Sequence, residues 1–392
     1  MTGPQTKMPF VAIACGGTGG HLFPGLAVAK QLKLRGCDVA LLISPKDVDQ
    51  QAVKSVHGME IFTLPAVGLQ NRNYFSFAAS FVKSLFAARK LFRQRRPDAV
   101  LAMGGFTSAP PILAGNVSGA KTFLHESNTI PGKANRFLSR FVNGAFVGFP
   151  EAGARLKTRK VTTTGTPVRA EFKPREPAAC RTALGLEPNL PTILVVGGSQ
   201  GASGLNEMIL SALPSLAEKN WQFLHLTGAN DFEKVKAAYT GKKLNAVVQP
   251  FLAEMDLALG AATVTVSRAG ASSLAEIAAM RLPSLLVPFP AAADNHQFFN
   301  ASAFAKTDAA VLLEQNNSTP EKVAAILTRL VEDESVRAKM QSALAQWHAP
   351  KAAEQIAESI LKAVARQQEK APQAKTKTCS CGHAHGAAKH AH

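Results

Sequence analysis

Residues 15–29 read CGGTGGHLFPGLAVA, a glycine-rich turn around Thr18 with His21 directly behind it. A strand-like apolar run, Phe10–Ala14, leads in, Pro24 suits a first helical turn, and Leu26, Val28 and Leu32 supply apolar positions for a following helix. A glycine turn between strand and helix exposes unpaired N–H groups. With the helix dipole these favour an anion, and glycine lets a phosphate come close to the backbone. Phosphate or diphosphate binding is the chemistry this run points to. The dinucleotide register G-x-G-x-x-G fails, because Gly17-Thr18-Gly19 would need a third glycine where Leu22 stands. A P-loop fails too, since no Gly-Lys-Ser/Thr follows. Spacing leaves His21 with two readings, a packing or capping residue at a helix start or a proton-transfer group beside an anion.

Other constellations share this style. Met103-Gly104-Gly105-Phe106-Thr107-Ser108 is a second glycine turn opening a helix and a second candidate anion cradle. His125-Glu126-Ser127-Asn128 ends a strand with consecutive polar residues, which are costly to bury unless they face a cleft. Thr166-Pro167-Val168-Arg169 offers Arg169 to a phosphate or to a structural ion pair. Gly197-Gly198-Ser199-Gln200-Gly201 repeats the strand–glycine–helix theme, and Ser267-Arg268-Ala269-Gly270 precedes a helix bearing Ser272, Ser273 and Glu276. A glutamate there is ordinarily solvated or capping. Beside a nucleotide it can accept both ribose hydroxyls. Asp294, Asn295, His296, Gln297 and Asn300 form a polar cluster after a strand, where the ligand loops of open sheets gather.

The elements that must position these residues alternate, short β-rich runs with helical segments, as a parallel α/β sheet demands. Strands are predicted at 39–44, 61–64, 99–103, 121–125 and 145–148 in the first half. In the second they fall at 192–196, 222–226, 246–249, 263–266, 284–287 and 310–313. Residues 165–191 between the halves are rich in proline and charge. The pattern predicts two Rossmann-like domains with ligand in the cleft between them. The expected partition is 8–165, a linker at 166–190, 191–347, a helix at 348–367, and a disordered tail at 368–392.

At 392 residues, 46% hydrophobic and 18% charged, the chain can bury ample core in about two domains. It contains no stretch resembling a secretory signal or a spanning helix, and its five cysteines are scattered apart from Cys379 and Cys381, which favours a reducing cytoplasm. A net charge of +17 asks for an acidic partner. The predicted helix at 74–96 mixes Phe77, Phe81, Val82, Leu85, Phe86 and Phe92 with Lys83, Arg89, Lys90, Arg93, Arg95 and Arg96, and carries no acid. It reads as an amphipathic element for an anionic membrane surface, although some of its phenylalanines must pack on the sheet. Nucleic acid is disfavoured, since no nucleic-acid-binding motif is found.

In this order, GGTGGHLFPGLAVA, MGGFTSAP, HESNTIPGKANR, GTPVR, GGSQGA, SRAGASSLAEIAA and LLVPFPAAADNHQFFNA resemble the MurG family of bacterial N-acetylglucosaminyltransferases. The resemblance spans about residues 9 to 365. It implies the GT-B glycosyltransferase fold, α/β, with two Rossmann-like domains facing a central cleft and the helix at 348–367 crossing back to the first domain. It implies transfer of GlcNAc from UDP-GlcNAc to the 4-hydroxyl of MurNAc in undecaprenyl-pyrophosphoryl-MurNAc-pentapeptide (lipid I), giving lipid II. By resemblance the donor contacts fall at Thr18, Gly19, Gly20, Asn128, Arg169, Ser199, Leu252, Ala271, Ser272, Ser273, Leu274, Ala275, Glu276 and Gln297. Gly16, Gly17, Gly104 and Gly105 would take the acceptor diphosphate, and His21 becomes the candidate general base. The family reaction inverts the anomeric centre, so no enzyme nucleophile and no protein-bound metal is required; a divalent ion carried by the substrate phosphates is compatible. The implied setting is peripheral, on the cytoplasmic face of the cell membrane, with cell-wall elongation or division proteins as further partners.

Three positions depart from the family pattern: HESN replaces the usual HEQN, GTPVR the frequent GNPVR, and Arg281 stands where glycine is common. The tail departs further. Cys379, Cys381, His383 and His385 could chelate zinc, but C-x-C plus H-x-H is no standard finger spacing. Two competing readings are a related GT-B enzyme with another lipid acceptor, disfavoured by HESN and GTPVR, and a non-catalytic nucleotide-sugar-binding protein, disfavoured by intact His21 and Glu276.

Overall fold

The computed structural model describes residues 8–17, 19–46, 49–50, 53, 58–65, 74–198, 201–242 and 244–370. Two parallel sheets organise them. The first contains β1 (Phe10–Ala14), β2 (Asp38–Ile43), β3 (Glu60–Thr63), β4 (Ala99–Ala102), β5 (Lys121–Glu126), β6 (Gly144–Val147) and β7 (Val161–Thr163), in the order β3-β2-β1-β4-β5-β6-β7. The second contains β8 (Thr192–Val196), β9 (Gln222–Leu226), β10 (Ala246–Gln249), β11 (Val264–Ser267), β12 (Ser284–Leu286) and β13 (Val311–Leu312), in the order β10-β9-β8-β11-β12-β13. Every residue of β1 is buried, because helices cover both faces of the sheet, and this is why the strand reads as an unbroken apolar run. β7 was not foreseen. It is a three-residue edge strand, Val-Thr-Thr, too short and polar to show a pattern.

The helices are α1 (Gly19–Leu34), α2 (Tyr74–Gln94), α3 (Ala109–Val117), α4 (Lys133–Leu138), α5 (Pro150–Gly153), α6 (Pro177–Ala183), α7 (Ser203–Leu216) and α8 (Phe232–Gly241). They continue as α9 (Met255–Ala261), α10 (Ala271–Met280), α11 (His296–Ala305), α12 (Pro320–Glu332), α13 (Glu334–Trp347) and α14 (Ala352–Lys370). On one face of the first sheet, Val28 and Leu32 of α1 share a core with Ile356, Ile360 and Val364 of α14. On the other face, Ala88 and Phe92 of α2 pack with Ile112 of α3. The last helix thus returns to the first domain, fastened by Arg35 Nη2 to Glu354 Oε1 at 2.9 Å. It runs on to Lys370, so residues 368–370 are helical rather than part of a disordered tail. Cys379, Cys381, His383 and His385 lie outside the described residues.

The segment 166–190 is more than a connector. Phe172, Cys180 and Leu186 are buried in the second core, and Arg175 ion-pairs with Asp256 of α9. Where the chain crosses between domains, a Cβ on Gly165 would lie 2.3 Å from the Cβ of Ala349, so only glycine lets the two crossings touch. Beside them Trp347 stacks on Phe304 with centroids 4.4 Å apart, and Phe149 of the first domain lies 5.4 Å from Trp347.

Arg281 ends α10 with φ 52°, ψ 39°, the left-handed conformation that glycine adopts without strain. A side chain in this region costs roughly 1–2 kcal/mol. Arg281→Gly is therefore expected to raise the unfolding free energy by about 1 kcal/mol in urea denaturation. A loss of stability would show that the arginine side chain's contacts outweigh the backbone strain.

Candidate functional site

Both sheets reverse their strand order once, between β1 and β4 and between β8 and β11, and ligands of open α/β sheets bind outside the carboxyl ends of such strands. The glycine turns singled out in the sequence leave these strands. After β1, Gly16 is pressed on the end of β2 so closely that a Cβ would lie 2.3 Å from the nitrogen of Ser44. Gly17 follows with φ 116°. After β4, Gly104 and Gly105 take φ 112° and 76°. Thr107 Oγ1 donates to the carbonyl of Gly16 at 2.6 Å and joins the two turns.

His21 lies between them. A Cβ on Gly104 would be 2.9 Å from its Nε2, and one on Gly105 3.2 Å from its Nδ1, so the paired glycines make room for the imidazole. Burial pushes His21 down to about 4, with Lys46 and His296 acting in the same direction and Asp49 against it. The ring is therefore neutral near pH 7. His296 belongs to the second domain, so the imidazole feels both sides of the cleft.

Two of the four glycines expected at the acceptor diphosphate have their N–H groups engaged already. The N–H of Gly17 is already bonded to Asp49 Oδ2 at 2.6 Å, and that of Gly104 to Ser108 Oγ at 3.1 Å. Side-chain oxygens occupy the places an anion would take. The first turn of α1 adds further donors on this side, Gly19 and Gly20, whose N–H groups have no partner within the helix. Thr18 lies outside the described residues.

Across the cleft, Gly198 has φ 102° and Gly201 φ 77°; at Gly201 a Cβ would strike the carbonyl of Thr227 at 2.3 Å. Ser199 between them lies outside the described residues. Ala271, Ser272, Ser273, Leu274, Ala275 and Glu276 form the opening turns of α10, and Ser272 Oγ donates to the carbonyl of Gly20 at 3.0 Å. The N-termini of α1 and α10 thus meet. Burial pushes the Glu276 carboxyl up to about 7, with Arg169 opposing and Glu171 reinforcing the shift. The guanidinium of Arg169 lies over Phe23 and Phe172, 4.4 and 4.9 Å from the ring centroids, and its Nη1 meets Glu171 Oε1 at 3.2 Å. Its Nε is buried without a hydrogen-bond partner. Leu252, just past β10, is half-buried against the second core.

The polar tetrad at the end of β5 finds most of its partners within the first domain. Glu126 accepts from the N–H and Nδ2 of Asn128, the N–H of Gly132 and Nδ2 of Asn135, at 2.9–3.1 Å. His125, pushed down to about 4 by burial, lies with Nε2 3.1 Å from the carbonyl of Gly165 and Nδ1 3.2 Å from Ser127 Oγ. Within the tetrad it is Asn128 that reaches the second domain, where its Oδ1 accepts from Asn300 Nδ2 at 3.0 Å. Asn300, fully buried, also accepts from the N–H and Oγ1 of Thr129 and donates to the carbonyl of Ala269. Gln297 Oε1 accepts from the N–H groups of Ala269 and Phe289, which leaves its NH2 end for a ligand. Asp49 and the bridging role of Asn300 were not foreseen, since the bonds that define them join residues far apart in sequence.

Among the described residues, no group of three or more His, Cys, Asp or Glu side chains could hold a metal ion, and no helix is long and apolar enough to cross a membrane. The glycosyltransferase family 28 N-terminal domain matches residues 11–147, and the family's C-terminal domain matches residues 192–377. A relative from Xanthomonas euvesicatoria pv. vesicatoria (strain 85-10) is 39% identical over 354 residues, 90% of this chain and 80% of its own. One from Anaeromyxobacter sp. (strain Fw109-5) is 35% identical over 365 residues, 90% of this chain and 93% of its own. Both are named UDP-N-acetylglucosamine–N-acetylmuramyl-(pentapeptide) pyrophosphoryl-undecaprenol N-acetylglucosamine transferases. The crystal structure of Acinetobacter baumannii MurG is similar with a TM-score of 0.72 and 30% identity, covering 91% of this chain and 99% of that one. With both halves matched in chain order on a GT-B fold, the chain belongs to glycosyltransferase family 28 and to the MurG group within it.

Proposed function

We propose that this protein transfers GlcNAc from UDP-GlcNAc to the 4-hydroxyl of MurNAc in undecaprenyl-pyrophosphoryl-MurNAc-pentapeptide, lipid I, and so makes lipid II for peptidoglycan synthesis. Family membership supports the reaction, and the observation that carries its location is His21, at the start of α1 and against the Gly104–Gly105 turn, where Ser272 of the helix that bears Glu276 bonds Gly20. In this reading the donor lies along the second domain. The Gly197–Gly201 turn takes its diphosphate and Glu276 the ribose hydroxyls; Gln297 and Asn128 read the sugar. The acceptor diphosphate meets the first turn of α1.

The chemistry is one in-line displacement. The acceptor oxygen forms its bond to the anomeric carbon as the bond to UDP breaks, UDP leaves with the electron pair, and the hydroxyl proton passes to His21. A neutral imidazole is the competent form, and burial keeps it so. Charge growing on UDP is met by helix N-termini and Arg169, which requires no protein-bound metal. His21→Ala is expected to lower kcat by about 10²–10⁴. Its dissociation constant for UDP-GlcNAc should stay unchanged in calorimetry, and an undiminished kcat would remove His21 from the mechanism.

Glu276 gives a pH signature. A carboxylate accepts hydroxyl protons better than a carboxylic acid, and this group ionises near 7, well above an ordinary glutamate. UDP-GlcNAc affinity should therefore rise between pH 6 and 8. Glu276→Gln should weaken binding by about tenfold and flatten that dependence. A pH-independent wild-type affinity would refute the ribose assignment.

We also propose contact with an anionic membrane surface through α2. Phe92 is buried and Phe81 packs on the sheet, but Phe75 is 91% and Phe86 66% exposed, beside exposed Lys83, Lys90 and Arg93. Burying each phenylalanine in a bilayer interface contributes about 1.5–3 kcal/mol. Phe75→Ser with Phe86→Ser should cut sedimentation with phosphatidylglycerol vesicles by about tenfold or more, while lipid-free UDP-GlcNAc binding stays intact. Equal sedimentation would exclude this face.

A further inference from the structure

Asp49 lies shortly after β2 and is fully buried, at 0% exposure. Its Oδ2 accepts from the N–H of Gly17 at 2.6 Å, the N–H of Ser44 at 3.1 Å and the hydroxyl of Ser44 at 2.5 Å. Its Oδ1 is buried with no hydrogen-bond partner. A buried carboxylate with one oxygen unpaired is costly to keep, so packing alone does not account for it. Asp49 is also half of a clamp. It draws Gly17 toward the end of β2 on one side, while Thr107 holds the carbonyl of Gly16 from the other. The turn so fixed feeds directly into α1, whose first turn carries His21.

Charged groups act on the imidazole of His21 from several elements. Lys46, His296 and His125 face it as cations or as groups that can become cations. Lys46 also anchors the turn, with Nζ 3.2 Å from the carbonyl of Gly17. Of the charged groups acting on His21, Asp49 is the one that favours a proton there.

We propose that Asp49 is a positioning residue for His21: it pins the Gly16–Gly17 turn that delivers the imidazole, and supplies the buried negative charge that balances the imidazolium formed during transfer. This rests on His21 being the base. The proton moves from the acceptor hydroxyl to His21, and Asp49 stays ionised throughout.

Asp49→Asn keeps an oxygen acceptor for Gly17 and Ser44 but removes the charge. It should lower kcat by about tenfold or more, because an imidazole whose imidazolium has no balancing charge is a weaker base. The acid limb of kcat/KM against pH should move to lower pH, with KM for UDP-GlcNAc unchanged. Thr107→Val loosens the same turn from its other side and leaves the charge in place; it should raise KM for lipid I without moving the limb. Added to His21→Ala, Asp49→Asn should cost no further rate. A wild-type kcat and limb in Asp49→Asn, or multiplicative losses in the double variant, would overturn the proposal while leaving His21 as base. A wild-type kcat in His21→Ala would instead overturn the base assignment, and this proposal with it. Circular dichroism and UDP-GlcNAc affinity report whether each variant folds. If Asp49→Asn does not fold, Asp49→Glu keeps the charge and should retain the wild-type limb; a displaced limb there counts against the proposal.

Discussion

A parallel sheet whose strand order reverses leaves a crevice at the carboxyl ends of the strands flanking the reversal, because the loops there depart to opposite faces. This chain has two such sheets, and each crevice is entered by glycine turns. Other side chains owe their places to that arrangement. Gly16 can turn on the end of β2 only without a Cβ, and Gly104 and Gly105 yield the space the imidazole of His21 fills. Ser272 then bonds the carbonyl of Gly20, which brings the N-termini of α1 and α10 together at one cleft. Backbone donors and helix dipoles converge there without needing a lysine cluster.

One physical cause moves the two titratable groups of the cleft in opposite directions. Burial disfavours whichever form carries charge, so it depresses the imidazole of His21 and raises the carboxyl of Glu276. Both are drawn toward neutrality before substrate arrives. A neutral imidazole can accept a proton at once, whereas the carboxyl gains from ionising when it has hydroxyl donors to meet. The cleft is thus tuned by exclusion of water more than by ion pairs, and the charged groups that act on Glu276, Arg169 and Glu171, pull its carboxyl in opposite directions.

Much of this was legible in the sequence. β8, β9 and β10 fall at the predicted residues, and most other strands differ by a residue or so at their ends, because buried parallel strands are short apolar runs between turn signals. The glycine turns, His21 and Glu276 were visible for the same local reason. Asp49 was not. It bonds Gly17 from 32 residues away, and no periodicity encodes that pairing. The same holds for Asn300, joined to Thr129 over 171 residues, and for the His125–Asn128 tetrad, whose polar groups are held by one another and by Gly132, Asn135, Gly165 and Asn300. Local pattern finds the parts that line the cleft, and long-range hydrogen bonds decide which of their donors remain available.

The contacts that close the cleft are chemically unlike those at the crossings between domains. Phe149, Phe304 and Trp347 cluster beside the crossings at Gly165 and Ala349, and aromatic packing of this kind loses much when parted. At the cleft the bonds are polar: Asn300 to Asn128 and Thr129, Ser272 to Gly20, and the half-exposed pair Arg136–Asp294. An exposed ion pair contributes about 0–1 kcal/mol, and a neutral hydrogen bond exchanged for one to water or ligand contributes little more. Opening at the cleft is therefore inexpensive while separation at the crossings is not, which favours rotation about the aromatic cluster. The same exchange would let Asn128, tied to Asn300 without ligand, serve the sugar on the proposed donor placement. A hydroxyl that offers the Asn128 oxygen an equivalent donor replaces the amide of Asn300 at little net cost, so on that placement donor binding and domain contact would compete for one set of polar groups.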